Sequence, residues 1–162
     1  METRTPRVEV VHLPGLVLVG YEIEVAAGQE PGPQEIPAFW DRFFEEGLDR
    51  RLPPSSHPGV FVAACHSDTE ATFRYLVGVP VAEGTPAGEG QRVLEIPAGR
   101  HARVTVRGDL PVAIPAGFRW ARREWLPASG EGLRTAPWLE WYDHRSEGCG
   151  EAEADLLLPL QE

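Results

Sequence analysis

The sequence predicts an α+β fold in which a βαββ unit is duplicated about a pseudo-twofold axis, with an antiparallel sheet and two main helices. Several segments alternate apolar and polar residues, which is typical of half-buried strands. Two other segments repeat their apolar residues at helical spacing. The tripeptide Ile36-Pro37-Ala38 recurs as Ile114-Pro115-Ala116, 78 positions later, and the same shift brings the following strand patterns into register.

The strands are predicted from their period of two, which places alternate side chains on opposite faces of a sheet. The clearest alternation lies in Leu16–Val25 and in Arg100–Arg107. Further strands are predicted at Arg7–His12, Val60–His66, Ala71–Val79, Arg92–Ile96, Pro137–Asp143 and Ala154–Leu160.

The two helices are predicted from apolar stripes opposite charged residues. The first stripe runs from Ile36 to Leu52, with Pro37 in the first turn. The second runs from Ile114 to Trp125, with Pro115 in the first turn. Proline suits a first helical turn because its missing N–H has no intrahelical acceptor there. We expect Pro127 to end the second helix.

The chain of 162 residues has the length of a single domain. We expect one domain over residues 1–162, with a first half at 7–81, a linker at 82–91 and a second half at 92–160. A second loop is expected at Ser146–Glu153. Neither half can bury both faces of its strands alone, so the halves must pack together. A central ligand cleft is expected where they meet.

Composition excludes several classes of function. The net charge is −10, which opposes direct nucleic-acid binding because phosphate contacts require clustered basic residues. All 15 basic residues are arginine, so a P-loop lysine and a Schiff-base lysine are absent. The N-terminal segment lacks signal-peptide features and no apolar run has the length of a membrane span. We therefore expect a cytoplasmic protein without a membrane partner.

The candidate metal ligands and nucleophiles form no recognised pattern. The glycine-containing linker lacks GxGxxG, and the serines lack a GxSxG elbow. Cys65 and Cys149 are too far apart for a metal or redox motif, so free thiols are expected. No metal and no cofactor are therefore expected. No metal-ligand spacing occurs among the five histidines either, which are His12, His57, His66, His101 and His144.

The strongest candidate site is the segment Pro137–Asp143. In a strand, Trp138, Glu140 and Tyr142 share one face. An unpaired glutamate is costly to bury, so Glu140 either pairs with an arginine or faces water at an edge, or it serves a function. The functional interpretation is a negative charge in an aromatic box, which favours flat, lipophilic cations.

The sequence resembles the GyrI-like small-molecule-binding superfamily, which includes gyrase-inhibitory proteins and effector-binding domains of AraC-type and MerR-type multidrug regulators. The resemblance spans nearly the whole chain and implies the duplicated βαββ fold. It also implies that Glu140 is the central pocket glutamate, within a Glu-x-Tyr motif completed by Tyr142. The residues that carry it lie in Phe73–Val79, Ile96–Ala102, Trp125–Gly130, Leu139–Tyr142 and Leu158–Leu160.

Other aromatic residues are candidate walls of the same pocket, although aromatics at these spacings also occur in cores. For Trp40, which begins a helical stripe beside Phe39, core packing is the favoured interpretation. Trp120 lies off the main stripe of its helix and is a candidate flank of the cleft. The candidate walls are Tyr21, Trp40, Phe61, Tyr75, Trp120 and Trp138.

The resemblance implies three functions. The first is a stand-alone module that binds or sequesters a lipophilic, cationic small molecule. The second is a hydrolase of cyclopropane-bearing genotoxic natural products, with Glu140 as general base assisted by Tyr142. The third is a gyrase-interacting inhibitory protein. DNA gyrase or a separate regulator is accordingly a candidate partner, and the chain shows no helix-turn-helix pattern of its own.

Overall fold

The computed structural model describes residues 5–27, 34–66, 71–147 and 151–162. The helices are α1 (Glu35–Glu45), α2 (Leu110–Trp120) and α3 (Leu126–Ser129). The strands are β1 (Arg7–Leu13), β2 (Leu16–Ala26), β3 (Phe61–His66), β4 (Thr72–Val81), β5 (Arg92–Ile96), β6 (Gly99–Gly108), β7 (Trp138–Tyr142) and β8 (Ala152–Pro159).

All eight strands form one antiparallel sheet in the order β1-β6-β8-β7-β3-β4-β2-β5. Exchanging β1–β4 for β5–β8 reproduces this order read backwards. The sheet therefore has a pseudo-twofold relation centred between β3 and β7. The predicted α+β class and the duplicated antiparallel plan are confirmed.

Both main helices pack on the same face of the sheet. Phe39 and Phe43 of α1 are buried against β2, β3 and β4. Ile114 of α2 is buried against β6 and β8. Gly117 brings α2 especially close, since a Cβ there would lie 2.5 Å from Cγ1 of Val106. Two apolar cores thus lie side by side beneath two helices, and β3 and β7 run along the seam between them.

The opposite face of the sheet is buried by curling of the sheet itself. Only Pro14 and Gly15 connect β1 to β2, although five strands lie between them in the sheet. A connection this short spans roughly 10 Å, whereas six interstrand spacings of a flat sheet would span about 29 Å. The sheet therefore curls until its two edges approach each other. Leu18, Leu76 and Leu139 are fully buried inside the curl.

A pair of glycines permits a close approach of β2 and β4. Gly20 and Gly78 lie directly opposite each other. A Cβ at position 20 would lie 2.3 Å from the carbonyl oxygen of Val77, and one at position 78 would lie 2.1 Å from that of Val19. No side chain fits at either position without separation of the two strands.

The first helix is shorter than its apolar stripe predicts. It ends at Glu45, because Gly47 adopts a left-handed conformation with φ of 68°. A separate 3₁₀ turn, Leu48–Arg51, follows. Leu48 and Leu52 still pack against the core beneath α1, so the stripe correctly predicted burial but not helical continuity.

Both predicted ends of the second helix are wrong. The helix begins at Leu110 rather than at Ile114, and Pro115 lies inside it. Pro127 does not end the helical segment, which continues through a π turn at Ala121–Trp125 into α3. The π turn bonds the N–H of Leu126 to the carbonyl of Ala121, and Pro127 then occupies the first turn of α3, where no N–H is required. Gly130, with φ of 76°, ends the segment.

The connection between the halves has no regular secondary structure from 82 to 91. It is nevertheless anchored, because the amide of Gln91 donates to the Tyr21 hydroxyl and to the carbonyl of Arg51. Positions 148–150 of the predicted loop Ser146–Glu153, which include Cys149, lie outside the described residues.

Within the described part of the chain, no helix combines the length and apolarity needed to cross a membrane.

We expect Gly78→Ala to lower the free energy of unfolding by about 2 kcal/mol or more, because the added methyl group overlaps backbone atoms. Urea unfolding measures this difference. Gly15→Ala is the matched control, since a Cβ there meets its nearest atom at 3.4 Å. The free energy of unfolding of this variant should fall by less than about 1 kcal/mol. Equal losses in the two variants would contradict the close approach of β2 and β4.

Candidate functional site: a buried carboxylate between aromatic rings

Glu140 lies at the seam between the two halves. On β7 it pairs with Ala63 of β3 on one side and with Leu156 of β8 on the other. Its neighbour on the same face, Tyr142, packs against the cores beneath both helices. The side chain therefore projects into the space between α1 and α2, and the residue retains 5% of its accessible surface.

Two tyrosine hydroxyls hold one oxygen of this carboxylate. Tyr75 donates to Oε1 at 2.8 Å and Tyr142 donates to the same atom at 2.5 Å. The indole N–H of Trp40 donates in turn to the Tyr75 hydroxyl at 2.9 Å. Oε2 accepts no hydrogen bond from the residues that the structure describes. The carboxylate is thus held rigidly at one oxygen while the other retains its capacity to accept.

The carboxylate has no basic partner among the described residues. Both structural alternatives for Glu140, pairing with an arginine and exposure to water at an edge, are therefore wrong. Burial raises the pKa of Glu140, because it disfavours the charged form, and the hydrogen bonds from Tyr142 and Tyr75 oppose that rise. The site consequently holds an acid that is costly to ionise in the absence of a cation.

The neighbouring groups remain protonated. Burial and the charge of Glu140 raise the pKa of Tyr75 and of Tyr142 well above the ordinary phenol value. The same two causes raise the pKa of the free Cys65 thiol. Both hydroxyls therefore remain donors at neutral pH. Cys65 remains a thiol rather than the thiolate that nucleophilic chemistry requires.

Aromatic rings cover the carboxylate from the side of α1. The ring of Trp40 lies 5.0 Å from that of Tyr142, edge to face. Phe44 stacks on Trp40 at 6.0 Å and is 47% exposed. On the side of α2, Phe118 lies 5.7 Å from Trp138. Trp40 and Tyr142 thus close the predicted central cleft in this structure.

The remaining sequence-predicted walls make no hydrogen bond with Glu140 in the described part of the chain. Phe61 pairs with Tyr142 across β3 and β7. Trp120 packs with the core beneath α2. Tyr21 lies three strands from Glu140, on β2, and accepts a hydrogen bond from Gln91. Of the residues that the structure describes, only Tyr75, Tyr142 and Trp40 join Glu140 in one hydrogen-bonded group.

Sequence reasoning did not single out Phe44 and Phe118, the two aromatic residues that pack on Trp40 and Trp138. The spacing of Trp40 and Phe44, four residues apart on one helix, was the available signal for the first. Phe118 was assigned to an apolar stripe, which gave no indication of its contact with Trp138.

Among the described residues, no group of three or more His, Cys, Asp or Glu side chains is arranged to hold a metal ion.

A duplicated eight-stranded antiparallel sheet with two main helices on one face is the architecture of the GyrI-like superfamily. Within that class, the chain belongs to the family of integron-associated effector binding proteins (Cass2), whose model matches residues 9–160. The predicted superfamily is thereby confirmed.

Individual relatives agree with this assignment. The transcriptional regulator BrlR of Pseudomonas aeruginosa is 27% identical over 159 residues, which cover 97% of this chain and 56% of BrlR. The chain thus spans about half the length of that curated relative. The structure of SAV2435 bound to tetraphenylphosphonium has a TM-score of 0.79 at 16% identity, covering 96% of this chain and 94% of that one. The EcmrR C-terminal domain has a TM-score of 0.69 at 11% identity, covering 97% and 98%.

We expect Glu140→Gln to raise the melting temperature at pH 8 and to lose this advantage as the pH falls. The folded-state pKa of Glu140 is raised, so the folded protein binds more protons than the unfolded chain between the ordinary and the raised value. Stability therefore decreases as the pH rises through that interval. Glutamine preserves an acceptor for both tyrosines and carries no charge.

Thermal unfolding at several pH values tests this expectation. Glu131→Gln is the control of opposite sign, because the hydrogen bond from Arg100 holds the pKa of Glu131 below its ordinary value. That variant should lose a little stability at neutral pH, and the loss should vanish in acid. A melting difference between Glu140→Gln and the parent that is independent of pH would contradict the buried, unpaired carboxylate.

Proposed function

We propose that this protein binds lipophilic organic cations at Glu140, between α1 and α2. The observation that carries the proposal is a buried carboxylate with no basic partner and with one oxygen, Oε2, that accepts no hydrogen bond from the described residues. A carboxylate placed in this way is a site for a positive charge that the protein does not itself supply.

The energetics favour a cation over a neutral ligand. Burying an unpaired charge is costly, and in a low-dielectric site an opposite charge at short distance recovers much of that cost. The faces of Trp40 and Tyr142 add a cation–π attraction of about 0.5–2 kcal/mol each. A lipophilic cation also brings apolar surface to the rings and loses little hydration of its own.

The hydrogen-bonded group gives the site its geometry. Tyr75 and Tyr142 fix Oε1, so the direction of the other oxygen, Oε2, is fixed as well. Trp40 fixes the Tyr75 hydroxyl and belongs to α1, whereas Glu140 and Tyr142 belong to β7. A ligand that enters must separate Trp40 from Tyr142, so binding should alter tryptophan fluorescence.

The comparisons support a small-molecule ligand. The family is one of effector-binding proteins. SAV2435, which shares the fold, was solved with tetraphenylphosphonium, a lipophilic cation. That cation is therefore a suitable probe here. Hydrolysis of a cyclopropane-bearing compound, interaction with DNA gyrase and a cytoplasmic location stay predictions.

We expect Glu140→Gln to weaken tetraphenylphosphonium binding at least about tenfold, which corresponds to roughly 1.4 kcal/mol. Neutral triphenylphosphine oxide should lose less than about threefold, since it makes the ring contacts without a charge. Isothermal titration calorimetry at pH 8 measures both. Glu131→Gln removes one carboxylate away from the site and should leave both affinities unchanged.

Equal losses for the cation and the neutral oxide would remove the electrostatic role of Glu140. A mass spectrum of the recovered ligand distinguishes capture from turnover, because a binding protein returns it unaltered. More than one product molecule per protein would instead establish catalysis.

The affinity for tetraphenylphosphonium should fall as the pH falls through the raised pKa of Glu140. The probe carries a permanent charge, so only the protein titrates, and protonation removes the attracting charge. Fluorescence titrations from pH 8 down to the lowest pH at which the protein is folded measure this dependence. The Glu140→Gln variant should show a flat profile, and a parallel decline in that variant would assign the effect to another group.

A further inference from the structure

A second cavity lies on the opposite face of the sheet, with a volume of about 440 Å³. Its floor follows one row of paired residues across four strands. Arg7 of β1 pairs with Thr105 of β6, which pairs with Asp155 of β8, which pairs with Trp141 of β7. Trp141 neighbours Glu140 in sequence, and its side chain therefore projects to the other face. This cavity is separate from the carboxylate cluster.

The acidic groups of this cavity are hydrogen-bonded within the protein. Arg145 pairs with Asp143 at 2.9 Å and with Asp155 at 2.7 Å. The Thr105 hydroxyl donates to Asp155 at 2.8 Å. Burial alone would raise the pKa of Asp143, but the hydrogen bonds and charge of Arg145 outweigh it and lower that pKa. One guanidinium group thus holds both aspartates, and the three side chains together keep one net negative charge.

The basic groups, by contrast, retain unused donors. Arg7 lines the cavity, and its side chain makes no ion pair or hydrogen bond with the described residues. Arg103 lines it as well and, within the described ranges, pairs only with Glu9, whose side chain is 51% exposed. A solvent-exposed pair of this kind contributes little stability and exchanges partners readily. The lining therefore combines three arginines with two aspartates, a small excess of positive charge, in a protein whose net charge is −10.

The rest of the lining is apolar. Leu157 is 3% exposed at the floor, Leu13 contributes from the end of β1, and Trp141 adds a large aromatic surface. An aromatic ring of a ligand gains burial and stacking on such a surface. The cavity thus combines guanidinium groups with an apolar floor.

We propose that this cavity binds small aromatic anions, such as aromatic sulfonates or carboxylates, with the anionic group at Arg7 and Arg103 and the ring against Trp141 and Leu157. The site stands apart from the cation site at Glu140, because the sheet separates them. The two faces of the sheet select ligands of opposite charge.

Naphthalene-2-sulfonate is the probe, with 2-naphthol as the neutral analogue and 2-naphthylmethylamine as the cationic one. Calorimetry at pH 7 on the full chain should give the sulfonate the highest affinity of the three. The double variant Arg7→Gln/Arg103→Gln should weaken sulfonate binding at least about tenfold, since charge-assisted contacts are lost. Arg122→Gln, which removes one charge from an exposed position of the π turn, should change it less than about twofold.

Independence from the cation site is tested by competition. Saturating tetraphenylphosphonium and the Glu140→Gln variant should each leave the sulfonate affinity unchanged. Trp141→Phe should remove the fluorescence change that the sulfonate causes. Equal affinity for 2-naphthol, full affinity in the double arginine variant, or displacement by tetraphenylphosphonium would each overturn the assignment. Failure of tetraphenylphosphonium to bind would leave the sulfonate result intact, so the two proposals fail separately.

Discussion

The structure depends on one constraint, an unpaired carboxylate buried where two halves of a sheet meet. Tyr75 and Trp40 come from the first half, whereas Glu140 and Tyr142 come from the second. Neither half alone satisfies the carboxylate, so the hydrogen-bonded group exists only when β3 pairs with β7. Association of the halves and formation of the site are therefore one event.

The duplication is symmetric in topology but not in chemistry. Ala63 pairs with Glu140 across the pseudo-twofold seam, so a single acid lies between the halves. A second carboxylate there would face the first at close range, and one of the two would be forced to hold a proton. An alanine leaves one charge at the seam. The helices diverge as well, since α1 ends at a left-handed glycine while α2 continues through a π turn into α3.

The curl of the sheet gives its two faces different environments. One face is covered by helices and holds a carboxylate among rings, and no described basic residue pairs with it. The other is enclosed by the sheet's own edges and holds two aspartates that both pair with Arg145, so its unused hydrogen-bond donors lie in Arg7 and Arg103. Because side chains alternate along β7, Glu140 and Trp141 serve opposite faces. One short strand thereby contributes side chains to two differently lined environments.

The sequence by itself determined the strands, the apolar stripes and the shared face of Glu140 and Tyr142, because these follow from local periods of two and 3.6 residues. It did not determine that Tyr75 donates to Glu140, since this requires the strand order that places β4 beside β3 and β3 beside β7. Nor did it distinguish Trp40 as a hydrogen-bond donor from Trp40 as core, because both lie on one helical stripe. The sequence did not determine the ends of α2 either, because the π turn that follows the helix places Pro127 in the first turn of α3. Long-range pairing and curl, which no local period encodes, selected the residues that meet.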